Sequence, residues 1–184
     1  MINLDRIIED KGFDKSKLRL NIGGGNIRYS NCLNLELQPH KDVDGDIYGD
    51  VTQGLPYIPN ETFSEVLMIH VIEHIERQFH ARVFDEVWRI LKPGARFVLA
   101  FPDAIEVMKR FINNTYGGRW RLYHNCIFGR QGRPGDYHVT AMERQDVTDR
   151  LISAGFVNIK YLQHTINATM VSYKGKKLPN FLGG

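Results

Sequence analysis

Lys17-Leu18-Arg19-Leu20-Asn21-Ile22 runs without a break into Gly23-Gly24-Gly25-Asn26, and the reading of this stretch decides the fold. The first six residues read as a strand whose apolar positions belong to a buried sheet. A strand that ends on glycines makes a turn where the backbone can turn left-handed and a ligand can approach the main chain closely. Taken alone, the turn reads as structural, because Arg28 stands where G-x-G-x-x-G would place its last glycine.

The residues that follow supply the context. Cys32 to Leu37 is a second strand, and Glu36 near its end lies thirteen positions after Gly23. A carboxylate there can accept hydrogen bonds from both hydroxyls of a ribose. A weaker third strand covers Val43 to Ile47, interrupted by Gly45, and Asp50-Val51 precede the turn Gly54-Leu55-Pro56. Phe63 to Ile69 is a strand of buried type, continuing into His70-Val71-Ile72-Glu73-His74. Arg77 to Leu91 carries Phe79, Val83, Phe84, Val87, Trp88 and Leu91 on one helical face. Lys92-Pro93-Gly94 closes that helix, and Arg96 to Phe101 is a fifth strand ending at Pro102-Asp103.

The flanking regions complete the pattern. Residues 2–11 predict a short helix ended by Gly12, and Ala104 to Asn113 predicts another. Thr140 with Glu143 forms a capping box for a helix to Ala154. Phe156 to Leu162 and Ile166 to Tyr173 are two last strands, placed to pair antiparallel, and residues 174–184 read as a solvated tail. Strands alternating with helices predict an α/β fold with a mostly parallel sheet. Only Gly23 to Asn31 separate the first two strands, fewer than the dozen or so residues of an ordinary crossover, so the sheet is expected to be thinly covered there.

The pieces LNIGGGN, LNLEL, GDVTQGLPY, HVIEHI and RILKPGARFVLAFPD, in this order, resemble the class I S-adenosylmethionine-dependent methyltransferases, specifically the methyltransferase type 11 group. The likeness runs from about Leu18 to Tyr173, and the LKPG turn before an apolar strand is its most specific signal. It implies a Rossmann-like seven-stranded sheet, mostly parallel with an antiparallel last strand, and S-adenosyl-L-methionine as cofactor. It further implies cofactor binding by Gly23, Gly24, Gly25, Asn26, Glu36, Leu37, Asp50, Val51 and His70. The glycines would line the methionine and ribose, Glu36 the ribose hydroxyls, and Asp50 the adenine amino group.

Methyl transfer is an in-line displacement on an already activated sulfonium. Alignment and exclusion of water carry most of it, and a base is needed only when the nucleophile arrives protonated. Candidates for that base are His70, Asp103 and His138. Each has a structural alternative: His70 as a hydrogen-bonding partner of cofactor or backbone, Asp103 as the cap of the helix at Ala104, His138 as a loop brace. Glu73 reads as a cap and His74 as structural. No metal site is expected, since nothing in the spacing fixes His70, Glu73, His74 and His138 on one face.

The segment 116–137 is the candidate substrate lid. It holds Tyr116, Trp120, Tyr123, Phe128 and Tyr137 with Arg119, Arg121, Arg130 and Arg133 against Asp136, so it carries as much net positive charge as the whole chain, +3. Aromatics stack, arginines fork onto carboxylate or phosphate, and glycines permit motion. A solvated loop is the plainer alternative.

The 184 residues fit a single domain, 42% hydrophobic and 24% charged, as in an ordinary globular chain. The rest of the chain is close to neutral, which excludes a generally basic nucleic-acid binder. No apolar run approaches a membrane span and the N-terminus lacks the signal-peptide pattern, so the expected location is the cytoplasm. Cys32 and Cys126 lack metal-ligand spacing and read as a strand thiol and a loop thiol in a reducing compartment. The leading expectation is methylation of an O or N on a small or glycan-like, anionic acceptor. The alternatives are a cofactor-binding subunit without catalysis, an RNA or protein methyltransferase, and a nicotinamide-dependent oxidoreductase, the last disfavoured by the incomplete glycine fingerprint.

Overall fold

The computed structural model describes residues 2–41, 43, 45–115, 117, 119–132, 135–164 and 166–176. Its strands are β1 (Arg19–Ile22), β2 (Cys32–Glu36), β3 (Ile47–Tyr48), β4 (Phe63–Ile69), β5 (Leu91–Pro102), β6 (Phe156–His164) and β7 (Asn167–Lys174). They form one seven-stranded sheet in the order β3-β2-β1-β4-β5-β7-β6. The pairs among β1 to β5 are parallel, whereas β7 runs antiparallel to both β5 and β6. The helices are α1 (Leu4–Asp10), α2 (His80–Ile90), α3 (Ala104–Ile112), α4 (Trp120–Phe128) and α5 (Arg144–Ser153). The expected α/β architecture with its antiparallel insertion is therefore present.

β1 and β2 pair directly although no helix connects them. Asn34 braces the short connection between them. Its buried side chain donates to the carbonyls of Gly25 at 3.2 Å and Ile27 at 2.9 Å, and accepts from Asn21 at 3.3 Å. The glycines are needed for space as well as for torsion. Gly23 has φ +64°, and a Cβ on Gly24 would lie 2.0 Å from the Asn21 side-chain nitrogen.

The main core lies between the sheet and α2 and α5. Val83, Phe84, Val87 and Ile90 of α2 are fully buried with Phe97, Leu99 and Phe156. Phe97 packs against both Phe84 and Phe156, with ring centroids 6.3 and 5.4 Å away. Across the central strands, buried Glu65 of β4 pairs with Arg19 of β1 at 2.6 Å and with Arg96 of β5. Neutralising the carboxylate from both flanking strands offsets the cost of burying it. A smaller cluster joins Val107 of α3, Tyr123 of α4 and Ile166.

Several boundaries differ from expectation. Lys17 closes a 3-10 turn, so β1 starts at Arg19. β3 is only two residues and sits beyond Gly45. The Lys92-Pro93-Gly94 turn does not separate helix from strand; it forms an irregularity inside β5, between the pairs Phe63↔Leu91 and Glu65↔Arg96. The cap of α5 is Glu143, which accepts from the Asp146 amide, while Thr140 donates instead to the Ile75 carbonyl. Lys174 is no part of a solvated tail. It is buried at the end of β7, donating to the Leu91 carbonyl at 2.8 Å beneath the Trp88 ring. Residues 177–184 lie outside the described residues.

An Arg89–Glu86 clamp holds the proline-rich loop against α2. Glu86 accepts from the Leu55 amide at 2.7 Å, and Arg89 donates to the carbonyls of Leu55 and Ile58 and to Asn60. The Arg89 side chain holds Glu86 below the ordinary glutamate value of 4.5. A depressed carboxylate stabilises the fold fully above the unfolded value and loses that contribution as pH falls through the folded one. The thermal midpoints of wild type and Glu86→Gln should therefore differ most near neutral pH and converge on acidification.

Candidate active site

Two cavities open at the carboxyl ends of the parallel strands, where α/β folds bind ligands. The first, about 340 Å³, is bordered by Gly23 after β1, Glu36 and Leu37 at the end of β2, and Asp50 and Val51 beyond β3. Val71, His74, Ile75, Glu76 and Phe79 close its other side. The second, about 480 Å³, is bordered by His70, Glu73 and His74 after β4, Pro102, Leu122, Asn125 and Cys126 of α4, Arg130, Asp136, His138, Ile166 and Asn167. His74 borders both.

In the first cavity, the Glu36 carboxylate accepts the Gly25 amide at 2.7 Å, and burial holds its pKa above the ordinary range. Asp50 turns one oxygen onto the Thr52 amide and hydroxyl, at 2.8 and 2.7 Å. Of the nine residues that the resemblance assigned to the cofactor, five border this cavity: Gly23, Glu36, Leu37, Asp50 and Val51. Gly24, Gly25 and Asn26 lie in the turn beside it without bordering it, and His70 borders the second cavity.

The three candidates for a base are placed very differently. His70 follows β4 in a left-handed conformation, φ 55°, with its amide donating to Ala100. Its Nδ1 lies 3.1 Å from Glu73 Oε1, and its side chain stays 42% exposed. A carboxylate accepts a hydrogen bond from Nδ1–H, which leaves Nε2 as the basic nitrogen. Asp103 is buried and committed: it caps α3 through the amides of Ile105 and Glu106 and accepts the Tyr161 hydroxyl at 3.2 Å. It borders neither cavity. His138 borders the second cavity, with Nδ1 3.1 Å from the Cys126 carbonyl. Burial, opposed by the nearby Glu73 charge, keeps His138 below the ordinary histidine value.

The structure also joins residues that the sequence kept apart. Val139 and Thr140 both donate their amides to the Glu73 carbonyl, at 2.9 and 3.2 Å, which brings the chain around His138 alongside His74. Potential ligand atoms of Glu73, His74 and His138 lie within 4.8 Å of one another. Spacing gave no reason to expect this meeting, because 64 positions separate the two histidines.

The proposed lid is not a loop throughout. Trp120 to Phe128 is helix α4, packed on α3 through Phe111, whose ring meets Trp120 at 5.6 Å and Tyr123 at 5.1 Å. One face of α4, Leu122, Asn125 and Cys126, borders the second cavity, while Trp120, Tyr123, His124 and Phe128 line an apolar groove with α3 on another face. Cys126 is thus a helical thiol, pushed up to about 11 by burial. Of the arginines, Arg130 borders the cavity, and Arg119 and Arg121 do not. Tyr116 and Arg133 lie outside the described residues. Gly129 makes the return possible: it has φ +79°, and a Cβ there would meet the Asp136 carbonyl oxygen at 1.9 Å. Among the described residues, no helix is long and apolar enough to cross a membrane.

A family model described as a methyltransferase domain matches residues 24–99, the segment from the glycine turn into β5. Among solved structures, the chain is similar to a SAM-dependent methyltransferase from Archaeoglobus fulgidus, with TM-score 0.59, 12% identity and 92% of each chain covered. It is similar to a SAM-dependent methyltransferase from Methanosarcina mazei, with TM-score 0.56, 15% identity, and 91% and 97% of the two chains covered. It is also similar to Haemonchus contortus phosphoethanolamine N-methyltransferase 2, in complex with phosphomonomethylethanolamine and S-adenosylhomocysteine. There the TM-score is 0.54 at 12% identity, covering 93% of this chain and 52% of that one. No curated protein sequence matches the chain.

Proposed function

We propose that this chain, an S-adenosylmethionine-dependent methyltransferase with the class I fold, methylates an oxygen or nitrogen of a small anionic acceptor held in the second cavity. The observation that carries the reading is that His74 borders both cavities. A cofactor lying over Gly23 with its ribose on Glu36 would then present its methyl group to the 480 Å³ space beside His70. Residues 1–184 would serve as one methyltransferase domain, with α4 as part of the acceptor wall in place of a free lid.

In this reading Glu36 takes the ribose hydroxyls, and Asp50 with Val51 takes the adenine side. His70, oriented through Nδ1 by Glu73, accepts the acceptor's proton on Nε2 as the nucleophile attacks the methyl carbon. Asp103 holds the start of α3 and does not touch the reacting atoms. Arg130 is the cavity's fork for a phosphate or carboxylate. A phosphorylated small molecule is bound in the Haemonchus structure, which supports an acceptor of this class.

The test is turnover with a panel of small phosphate- and carboxylate-bearing alcohols and amines. With the acceptor that responds, Arg130→Ala should raise KM about tenfold or more, the loss of a charged hydrogen bond worth roughly 1.5–3 kcal/mol. Arg121→Ala should leave KM unchanged. If neutral acceptors are turned over equally well by wild type and Arg130→Ala, the anionic assignment fails.

A further inference from the structure

We propose that Glu73, His74 and His138 bind a divalent first-row transition-metal ion in the wall of the second cavity, where an oxygen of the acceptor completes its coordination. The acceptor's part in this rests on the reading of that cavity given above; the ion site itself rests on the residues alone.

The first ground is the state of the Glu73 carboxylate. Glu73 is 1% exposed, and its Oε1 is held by His70. Its Oε2 is buried and has no hydrogen-bond partner among the described residues. An ionised oxygen left in that state is costly, and a coordinated cation is one of the few arrangements that repays it.

The second ground is the tautomer of each histidine. His74 Nδ1 lies 2.8 Å from the Tyr137 carbonyl, and His138 Nδ1 lies 3.1 Å from the Cys126 carbonyl. A carbonyl only accepts, so each Nδ1 carries the proton and each Nε2 keeps a lone pair. Metal-binding histidines are oriented in this way, with the ring nitrogen that does not bind metal donating to a backbone carbonyl. The two rings face each other edge-on at 4.8 Å between centroids.

The third ground is reach. One potential ligand atom from each of the three residues lies within 4.8 Å of the other two. Ligand atoms about 2 Å from a shared tetrahedral ion stand about 3.3 Å apart, so two atoms at the far limit close in by about 1.5 Å between them, a side-chain movement of about 1 Å or less each. Two imidazoles and one carboxylate suit zinc, iron, cobalt or manganese better than magnesium or calcium, which take oxygen ligands. Three protein ligands leave a position open toward the cavity, as a site that binds substrate requires. An acceptor hydroxyl bound there would lose its proton to His70. Its oxygen would then attack the methyl carbon, and the breaking carbon–sulfur bond would leave its electron pair on the thioether.

Cobalt(II) serves as the probe, because its visible spectrum reports the coordination sphere. Chelator-treated full-length protein should bind one equivalent and develop a visible band. Glu73→Gln and His138→Ala should weaken binding by at least about a hundredfold, more than the loss expected from a supporting partner. His124→Ala, on the other face of α4, should leave it intact. Wild type gives a second readout should either variant misfold: bound cobalt should shift the imidazole proton resonances of His74 and His138 and leave those of His40 and His124 in place. Absence of stoichiometric binding, or shifts at His40 or His124 without shifts at His74 and His138, overturns the site. Calorimetry of S-adenosylhomocysteine on the metal-free protein separates the two claims. Intact cofactor binding without cobalt binding removes the ion alone, whereas lost cofactor binding counts against the methyltransferase reading.

Discussion

Replacing His70 by asparagine is expected to lower kcat by about 10²- to 10⁴-fold, the usual contribution of a positioned general base. Asparagine tolerates the left-handed backbone found at this position, φ 55°. Its amide nitrogen can also stand in for Nδ1 and keep the contact with Glu73, now 3.1 Å. What the substitution removes is Nε2, the nitrogen that would take the acceptor's proton in the proposed function. Affinity for S-adenosylhomocysteine should stay the same, because His70 borders the second cavity and not the first. The measurement is steady-state turnover beside calorimetry. Lost cofactor binding with unchanged kcat would move His70 to the cofactor site. An acceptor whose nucleophile is already deprotonated would show little loss, and that outcome would remove the need for a base.

The second large effect concerns Glu36. Glu36→Ala should weaken S-adenosylhomocysteine binding by about tenfold or more, since a charge-assisted hydrogen bond is worth roughly 1.5–3 kcal/mol. Part of that loss would come through the glycine turn, because Glu36 also accepts the Gly25 amide at 2.7 Å. Glu36→Gln separates the parts: it keeps an acceptor for the amide and lacks the charge that favours the ribose hydroxyls. Glu73→Ala is the control. It removes one carboxylate from the second cavity and should leave cofactor affinity within about twofold. Equal losses for Glu36→Ala and Glu73→Ala would contradict the ribose assignment.

The parts of this molecule that were legible in the sequence are those that local chemistry dictates. β4 matches its expected bounds, Phe63 to Ile69, because a continuous apolar run has one use in a parallel sheet. The strand–glycine–strand unit was legible for the same reason, and so was the absence of a crossover helix. What failed depended on partners far away in the chain. The stretch Trp120 to Phe128 reads as a loop from its glycine and arginine surroundings, yet it folds as a helix because α3 offers Phe111 and Val107 to its apolar side. Thr140 has the spacing of a capping residue, but its hydroxyl is taken by the Ile75 carbonyl at 3.0 Å. The LKPG turn lies within the segment that the methyltransferase-domain model matches, but it does not precede the strand as its composition suggests, since its residues are absorbed into β5.

The site divides along the same line. The residues at the ends of β1 and β2 could be named from position, because strand ends in this topology converge on one edge. The meeting of Glu73 and His74 with His138 could not. It depends on two backbone hydrogen bonds to the Glu73 carbonyl, and no spacing rule encodes those. Asn34 escaped notice for a related reason. A buried asparagine in an apolar strand looks like an imperfection until its amide is found bracing the carbonyls of Gly25 and Ile27.

The central claim is that the first cavity takes the cofactor of a methyltransferase. Titration calorimetry of the purified chain with S-adenosylhomocysteine and, separately, with a nicotinamide dinucleotide tests it most directly. The account predicts one saturable site for S-adenosylhomocysteine, weakened by Glu36→Ala, and no binding of the dinucleotide. Preferential binding of the dinucleotide, or S-adenosylhomocysteine binding that Glu36→Ala leaves unchanged, would contradict it.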